Sequence, residues 1–128
     1  MRDWPALAKA YRALGQPVRL KIIAALAAGE LCVCELEQML ALTQPAISQH
    51  LKVLKEAGLV AERREGQWSL QSLVPDQLCG LLADLQALAR GAGMPDDDPD
   101  FRARLAAVRA RPPIQCHDRV KPDWGWHG

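Results

Sequence analysis

A mainly α-helical fold with one small β-hairpin is predicted by two observations. Aromatic residues make up only 5% of the chain, and aliphatic side chains with helix-forming Ala, Leu, Arg, Gln and Glu dominate. Apolar positions recur at helical spacing along most of the sequence and switch to alternation over residues 59–73. With 128 residues the chain has the length of one domain, enough for one hydrophobic core.

The elements follow in order. Trp4–Leu14 is helical, and Gly15 stops it. Pro17 suits the first turn of a second helix, where its missing N–H costs little. Val18, Ile22, Ala25 and Leu26 form its buried face, and Gly29 ends it. A short third helix is expected over residues 33–41, with Leu36, Met39 and Leu40 inward. Thr43 is an N-cap for a fourth helix, whose inward stripe is Ile47, Leu51 and Leu54, and which ends at Gly58. Val60, Glu62 and Arg64 then alternate with Ala61, Arg63 and Glu65. Gly66-Gln67 makes a turn, and Trp68 and Leu70 continue the alternation, so a two-stranded hairpin is expected. A fifth helix from Pro75 carries Leu78, Leu82, Leu85 and Ala89, widened by Leu81 and Leu88. That face is too apolar for a helix lying alone on a small domain and calls for a partner helix. Residues 91–98 read as a linker. Asp98-Pro99 opens a sixth helix that runs to about residue 110, and Pro112-Pro113 ends it. The tail through Trp124 and Trp126 has no period.

The formal net charge of +1 hides an asymmetry. Acid gathers at Asp96, Asp97, Asp98 and Asp100, while Lys52, Lys55, Arg63 and Arg64 lie mid-chain, so a polyanionic partner is compatible with the neutral total. No apolar run is long enough to span a bilayer, and the N-terminus leads into no signal-peptide core. The expected compartment is the cytoplasm, where thiols stay reduced, and the four cysteines there point to metal, redox or packing roles.

Helix, short turn, helix and hairpin is the order of a winged helix-turn-helix. The fourth helix buries one stripe and presents short polar side chains near its N-terminus, as a helix entering the major groove must. Gln44 and Gln49 can make bidentate contacts to adenine, and Ser48 can meet a base edge or a phosphate. His50, Lys52 and Lys55 can meet phosphates, and Arg63 or Arg64 at the hairpin tip can reach the backbone or minor groove. Taken singly, each signal is equally met by a solvated amphipathic helix and an ordinary hairpin; together with the element order they favour double-stranded DNA.

The stretches LGQPVRLKIIAALAAGELCVCELEQML and TQPAISQHLKVLKEAGLVAERREGQWSLQSL, residues 14–73, resemble the ArsR/SmtB family of metal-responsive transcriptional repressors. Glu30-Leu31-Cys32-Val33-Cys34-Glu35-Leu36 looks like the metal-binding box of its arsenic- and antimony-responsive branch. The resemblance implies a homodimer built from the first and fifth helices, repression without inducer, and release from the operator when the metalloid binds. Residues 1–92 are then the winged helix-turn-helix domain with its dimerisation helices, and residues 93–128 a C-terminal helix and irregular tail. No cofactor is expected for DNA binding. The family's arsenic box often has a third cysteine three residues after the second; here Glu37 stands there, which leaves the third ligand open among Cys116, Cys79 and an exogenous thiol.

In a regular helix Cys32 and Cys34 would lie about 200° apart and could not grip one ion; an extended or unwound helix start would let them. Soft thiolates select soft ions, and trivalent arsenic or antimony fits a cysteine-only site. Zinc or cadmium is the rival inducer, through a tetrahedral set of Cys32, Cys34, Cys116 and His117. Packing is the plain alternative for the cysteines, most of all for Cys79. An enzyme is not expected: there is no Cys-x-x-Cys near a βαβ pattern and no phosphate loop. A thiol-redox-responsive DNA-binding regulator is a further alternative, although an i, i+2 disulfide would be strained.

Overall fold

The computed structural model describes residues 1–95 and 98–111. The chain divides into one unit, Met1–Pro95, and a second, Asp96–Gly128, of which the described part is mainly one helix. No helix among the described residues is long and apolar enough to cross a membrane.

The helices begin where capping chemistry satisfies their free N–H groups. Helix α1 (Trp4–Leu14) is capped by Asp3, which accepts from the Ala6 N–H at 2.8 Å, and α2 (Pro17–Ala27) by Gln16, which accepts from the Arg19 N–H at 3.0 Å. Strand β1 (Leu31–Cys32) leads directly into α3 (Val33–Leu40). Thr43 caps α4 (Gln44–Glu56), which is followed by strands β2 (Val60–Glu65) and β3 (Trp68–Leu73) and helix α5 (Pro75–Ala89). In the second unit α6 (Pro99–Arg109) is capped by Asp98, which accepts from the Phe101 N–H at 2.9 Å.

The core forms where the inward stripes of α2, α3 and α4 meet the sheet: Ile22, Leu36, Ile47, Leu51, Leu54 and Leu59 are essentially inaccessible. A second cluster joins α1 to α5 through Leu7, Ala10 and Leu81. The Tyr11 hydroxyl donates to the Leu81 carbonyl at 2.9 Å, and Arg2 donates to Asp84 and to Gln77 of α5. These bonds fix the angle between the two helices, which apolar packing alone sets loosely.

The expected two-stranded hairpin is part of a three-stranded antiparallel sheet of order β1-β3-β2. Leu31 pairs with Gln71 and Cys32 with Leu70. Two residues are too short to show a period, so β1 left no signal in the pattern. The hairpin itself has the expected register, Glu65 opposite Trp68, closed by Gly66 at φ +61°. Met39, expected inward, is 60% exposed, because it sits in the last turn of α3 just before the chain leaves the helix. The apolar face of α5 is divided. Leu81 is buried and Leu78 and Leu88 pack on the two clusters, whereas Leu82 and Leu85 face outward.

Beneath the wing lies a polar knot. Gln71 is fully buried, and its Nε2 donates to Glu62 at 3.0 Å and to Ser69 at 3.1 Å. Ser69 also hydrogen-bonds Glu62, whose other oxygen meets Lys55 at 3.3 Å. These donors, Ser69 first, hold the Glu62 carboxyl below its ordinary value of 4.5. Its contribution to stability is therefore complete above that value and is lost as pH falls through the lower folded one. Glu62→Gln should have a lower urea midpoint than the parent at pH 7, and the gap should shrink as pH falls below 4.5; a gap independent of pH would remove the carboxylate from the account.

The turn between α3 and α4 places Ala41 in the left-handed region, at φ 53° and ψ 43°. A Cβ there costs roughly 1–2 kcal/mol, part of which a glycine returns through its freer unfolded state. Ala41→Gly should raise stability by about 0.5–1 kcal/mol in chemical denaturation, with the m-value unchanged.

Candidate nucleic-acid interface and thiol cleft

Helix α4 buries Ile47, Leu51 and Leu54 and leaves Gln44, Ser48, Gln49 and Lys52 exposed. The sequence-predicted readers and one of the predicted phosphate contacts thus share the outward side of one helix. His50 is half-buried instead. Its Nδ1 lies 3.4 Å from Nη1 of Arg19, and the same guanidinium donates to the Ala13 carbonyl at 2.6 Å and the Arg12 carbonyl at 3.1 Å. Arg19 is a clip from the end of α1 to the middle of α4. Lys55 turns to Glu62, so its charge is already matched.

On the wing the two arginines part company. The expected hairpin tip included Arg63 and Arg64, but the tip is Gly66-Gln67 and both arginines lie within β2. Arg63 is held by Glu30 at 2.7 Å and by Glu65 at 3.0 Å. That pairing lowers the Glu30 carboxyl and raises the Arg63 guanidinium from their ordinary values. The side chain of Arg64, the next residue in an alternating strand, makes no hydrogen bond or ion pair among the described residues, and Arg64 lines a cleft.

The thiols come together. Of the two geometries the sequence allows, the extended helix start is the one present: β1 pairing holds Cys32 at φ −81° and ψ 160°, the N-cap of α3 rather than a helical residue. Cys34, two residues on, lies in the first turn. Glu35 closes a capping box, its carboxylate accepting from the Cys32 N–H at 3.0 Å. That bond lowers the Glu35 carboxyl from its ordinary value. The neighbouring Cys34 side chain and then burial push the Cys32 thiol up from its ordinary value. Cys32 is buried at 7% exposure, and Cys34 is open to solvent.

Both cysteines line a cleft of about 460 Å³ between the start of α3, the first turns of α4 and the wing. Gln44 and Ser48 line it from the recognition helix, Arg64 and Trp68 from the wing, and Glu37 from α3. Glu37 and Trp68 were missed as site residues, since only the fold of the hairpin over α3 brings them in. Cys79 is exposed on α5 and is not among the cleft's lining residues, and Cys116 and His117 lie outside the described residues. Among the described residues no group of three or more His, Cys, Asp and Glu side chains is disposed to hold a metal ion, so the cleft offers two sulfurs.

Residues 16–62 match the family described as bacterial regulatory protein, arsR family. An uncharacterized HTH-type transcriptional regulator of Methanocaldococcus jannaschii is 40% identical over 61% of this chain and 89% of its own length. The arsenic resistance transcriptional regulator of Pseudomonas putida is 43% identical over 69% of each chain. A solution structure of a homodimeric winged helix-turn-helix DNA-binding domain from Mycobacterium bovis, a possible ArsR-family regulator, superposes with a TM-score of 0.57 at 30% identity, covering 67% of this chain and 80% of that one. With the exposed reading face of α4 and the wing beside it, these likenesses place the chain in the ArsR family of winged helix-turn-helix, DNA-binding transcriptional regulators, not among enzymes.

Proposed function

We propose that the protein is a homodimeric repressor that binds double-stranded operator DNA without a cofactor and leaves it when trivalent arsenic or antimony binds Cys32 and Cys34. The observation that carries this reading is the shared cleft: the two thiols and the readers Gln44 and Ser48 line one space. A ligand seated there lies against the recognition helix and the wing together, so it favours whatever separation of the two suits it. If that separation differs from the one DNA requires, binding of one ligand excludes the other. A hundred-fold loss of operator affinity needs about 2.7 kcal/mol of such differential binding, well within the reach of sulfur–arsenic bonds.

The donor set favours a metalloid over zinc or cadmium: the cleft lining offers two sulfurs and no histidine, and soft thiolates select soft ions. Arsenous acid brings its own hydroxides, which leave with the thiol protons as water. The arsenic resistance regulator of Pseudomonas putida adds support by likeness. Dimerisation is supported by the outward Leu82 and Leu85 of α5, beside the α1 contact, and by the homodimeric Mycobacterium bovis domain.

In this reading Gln44, Ser48 and Gln49 read bases and Lys52 meets phosphate. Arg64 reaches DNA from the wing, while Arg63 and His50 act through their partners Glu30 and Arg19. The test is fluorescence anisotropy of labelled upstream DNA, titrated with arsenite, antimonite, zinc and cadmium under reducing conditions. Arsenite or antimonite should release the protein at concentrations where zinc and cadmium do not. Cys34→Ser should keep operator affinity within about three-fold, since the side chain is exposed, and lose release by arsenite; release at the parent concentration would remove Cys34 from the site. Lys52→Ala should weaken binding to all sequences alike and reduce the slope of log affinity against log salt by about 1, and an unchanged slope would take Lys52 off the phosphates.

A further inference from the structure

The cleft is the wrong size for a bare ion. A water occupies about 30 Å³ of liquid, whereas clefts of roughly 300–1,000 Å³ hold organic ligands; this one measures about 460 Å³. It offers two sulfurs where trivalent arsenic takes three, and it offers one thing an ion does not use, the guanidinium of Arg64, which no side chain engages among the described residues. The contrast with Arg63 is informative. Arg63, one residue earlier, is satisfied by two carboxylates, while Arg64 lines the cleft and its planar fork of donors has no partner among the described residues. Such a fork matches a carboxylate in two-point geometry.

Resting on the metalloid reading above, we propose that the cleft binds its metalloid together with a small thiol bearing a carboxylate, whose sulfur is the third ligand and whose carboxylate sits on Arg64. Glu37 narrows the class. Its half-buried carboxylate on the α3 wall repels a purely anionic thiol and attracts an ammonium, so a zwitterionic thiol amino acid or thiol peptide suits both ends. Glu62 does not compete for that ammonium, since Lys55, Ser69 and Gln71 already engage it. The reaction balances without an oxidant. The three As–O bonds of arsenous acid are exchanged for As–S bonds to Cys32, Cys34 and the small thiol. Each hydroxide leaves as water with one thiol proton, and arsenic stays trivalent.

The test uses the full chain, free of DNA, with arsenite and either glutathione or 2-mercaptoethanol. Native mass spectrometry of the parent should show one arsenic and one glutathione per cleft. Arsenite affinity, read from tryptophan fluorescence, should be about ten-fold weaker for Arg64→Gln than for the parent in glutathione, and equal for the two in 2-mercaptoethanol. Comparing protein with variant in the same thiol cancels complexation of arsenite by the free thiol. Cys116→Ser should behave as the parent. Arsenic retained without the thiol's mass would overturn the proposal, as would loss of arsenic from Cys116→Ser in both thiols, since the third sulfur would then be internal. No arsenic on the parent in either thiol would instead overturn the metalloid reading itself.

Discussion

Everything that positions the site depends on the pairing of Leu31–Cys32 with β3. Those two residues stop the chain from winding into α3 too early, and they attach the wing to the helix-turn-helix by backbone hydrogen bonds. Without the pairing the hairpin would be a two-stranded ribbon, which is marginal in water. With it, the wing's inner face is anchored over Leu36 and Leu59, the cleft acquires a floor, and the thiols take neighbouring positions that a helix would deny them. One short strand thus sets the wing position and the thiol geometry together.

Charge within the unit is distributed by the same sheet. Arg63 and Arg64 are neighbours in sequence, but the pleat sends them to different faces and different chemistries. On one face Glu30, just before β1, and Glu65 hold Arg63; on the other Arg64 looks into the cleft. Lys55, which counts as a basic residue of the recognition helix, is spent on the buried knot around Gln71. The cationic surface left unpaired is smaller than a count of lysines and arginines suggests, and in the proposed reading more of the discrimination would fall to Gln44, Ser48 and Gln49.

Much of this was legible from residue order alone. The end of α1 and the starts of α2 and α4 follow from Gly15, Pro17 and Thr43, because capping is local chemistry. The inward stripe of α4 follows from period, and so does its reading face. What escaped was whatever depends on contacts distant in sequence. Nothing around Leu31 announces that Gln71 will pair with it, and Gln71 reads as a surface residue until the sheet buries it. The split face of α5 escaped for a related reason: leucines on both its inward and outward sides blur the phase, and only the contacts with Leu7 and Ala10 decide that Leu81 is inside and Leu82 is not. Ala41 escaped because its left-handed backbone carries no glycine to mark it.

The Arg19 clip bears on the spacing of the DNA itself. A dimer assembled through α1 and α5 presents two copies of α4, and the distance between them must suit major grooves about one helical turn, roughly 34 Å, apart. In the proposed homodimer the axis would lie at the α1 end of that ruler and the outward side of α4 at the other. Between them stands a single guanidinium, fixed to the last carbonyls of α1 and to His50 in the middle of α4. Lysine has the charge but not the fork, and could not hold both helices at once. In the proposed dimer, the separation of the operator's half-sites would thus be written partly in a residue that need never touch DNA.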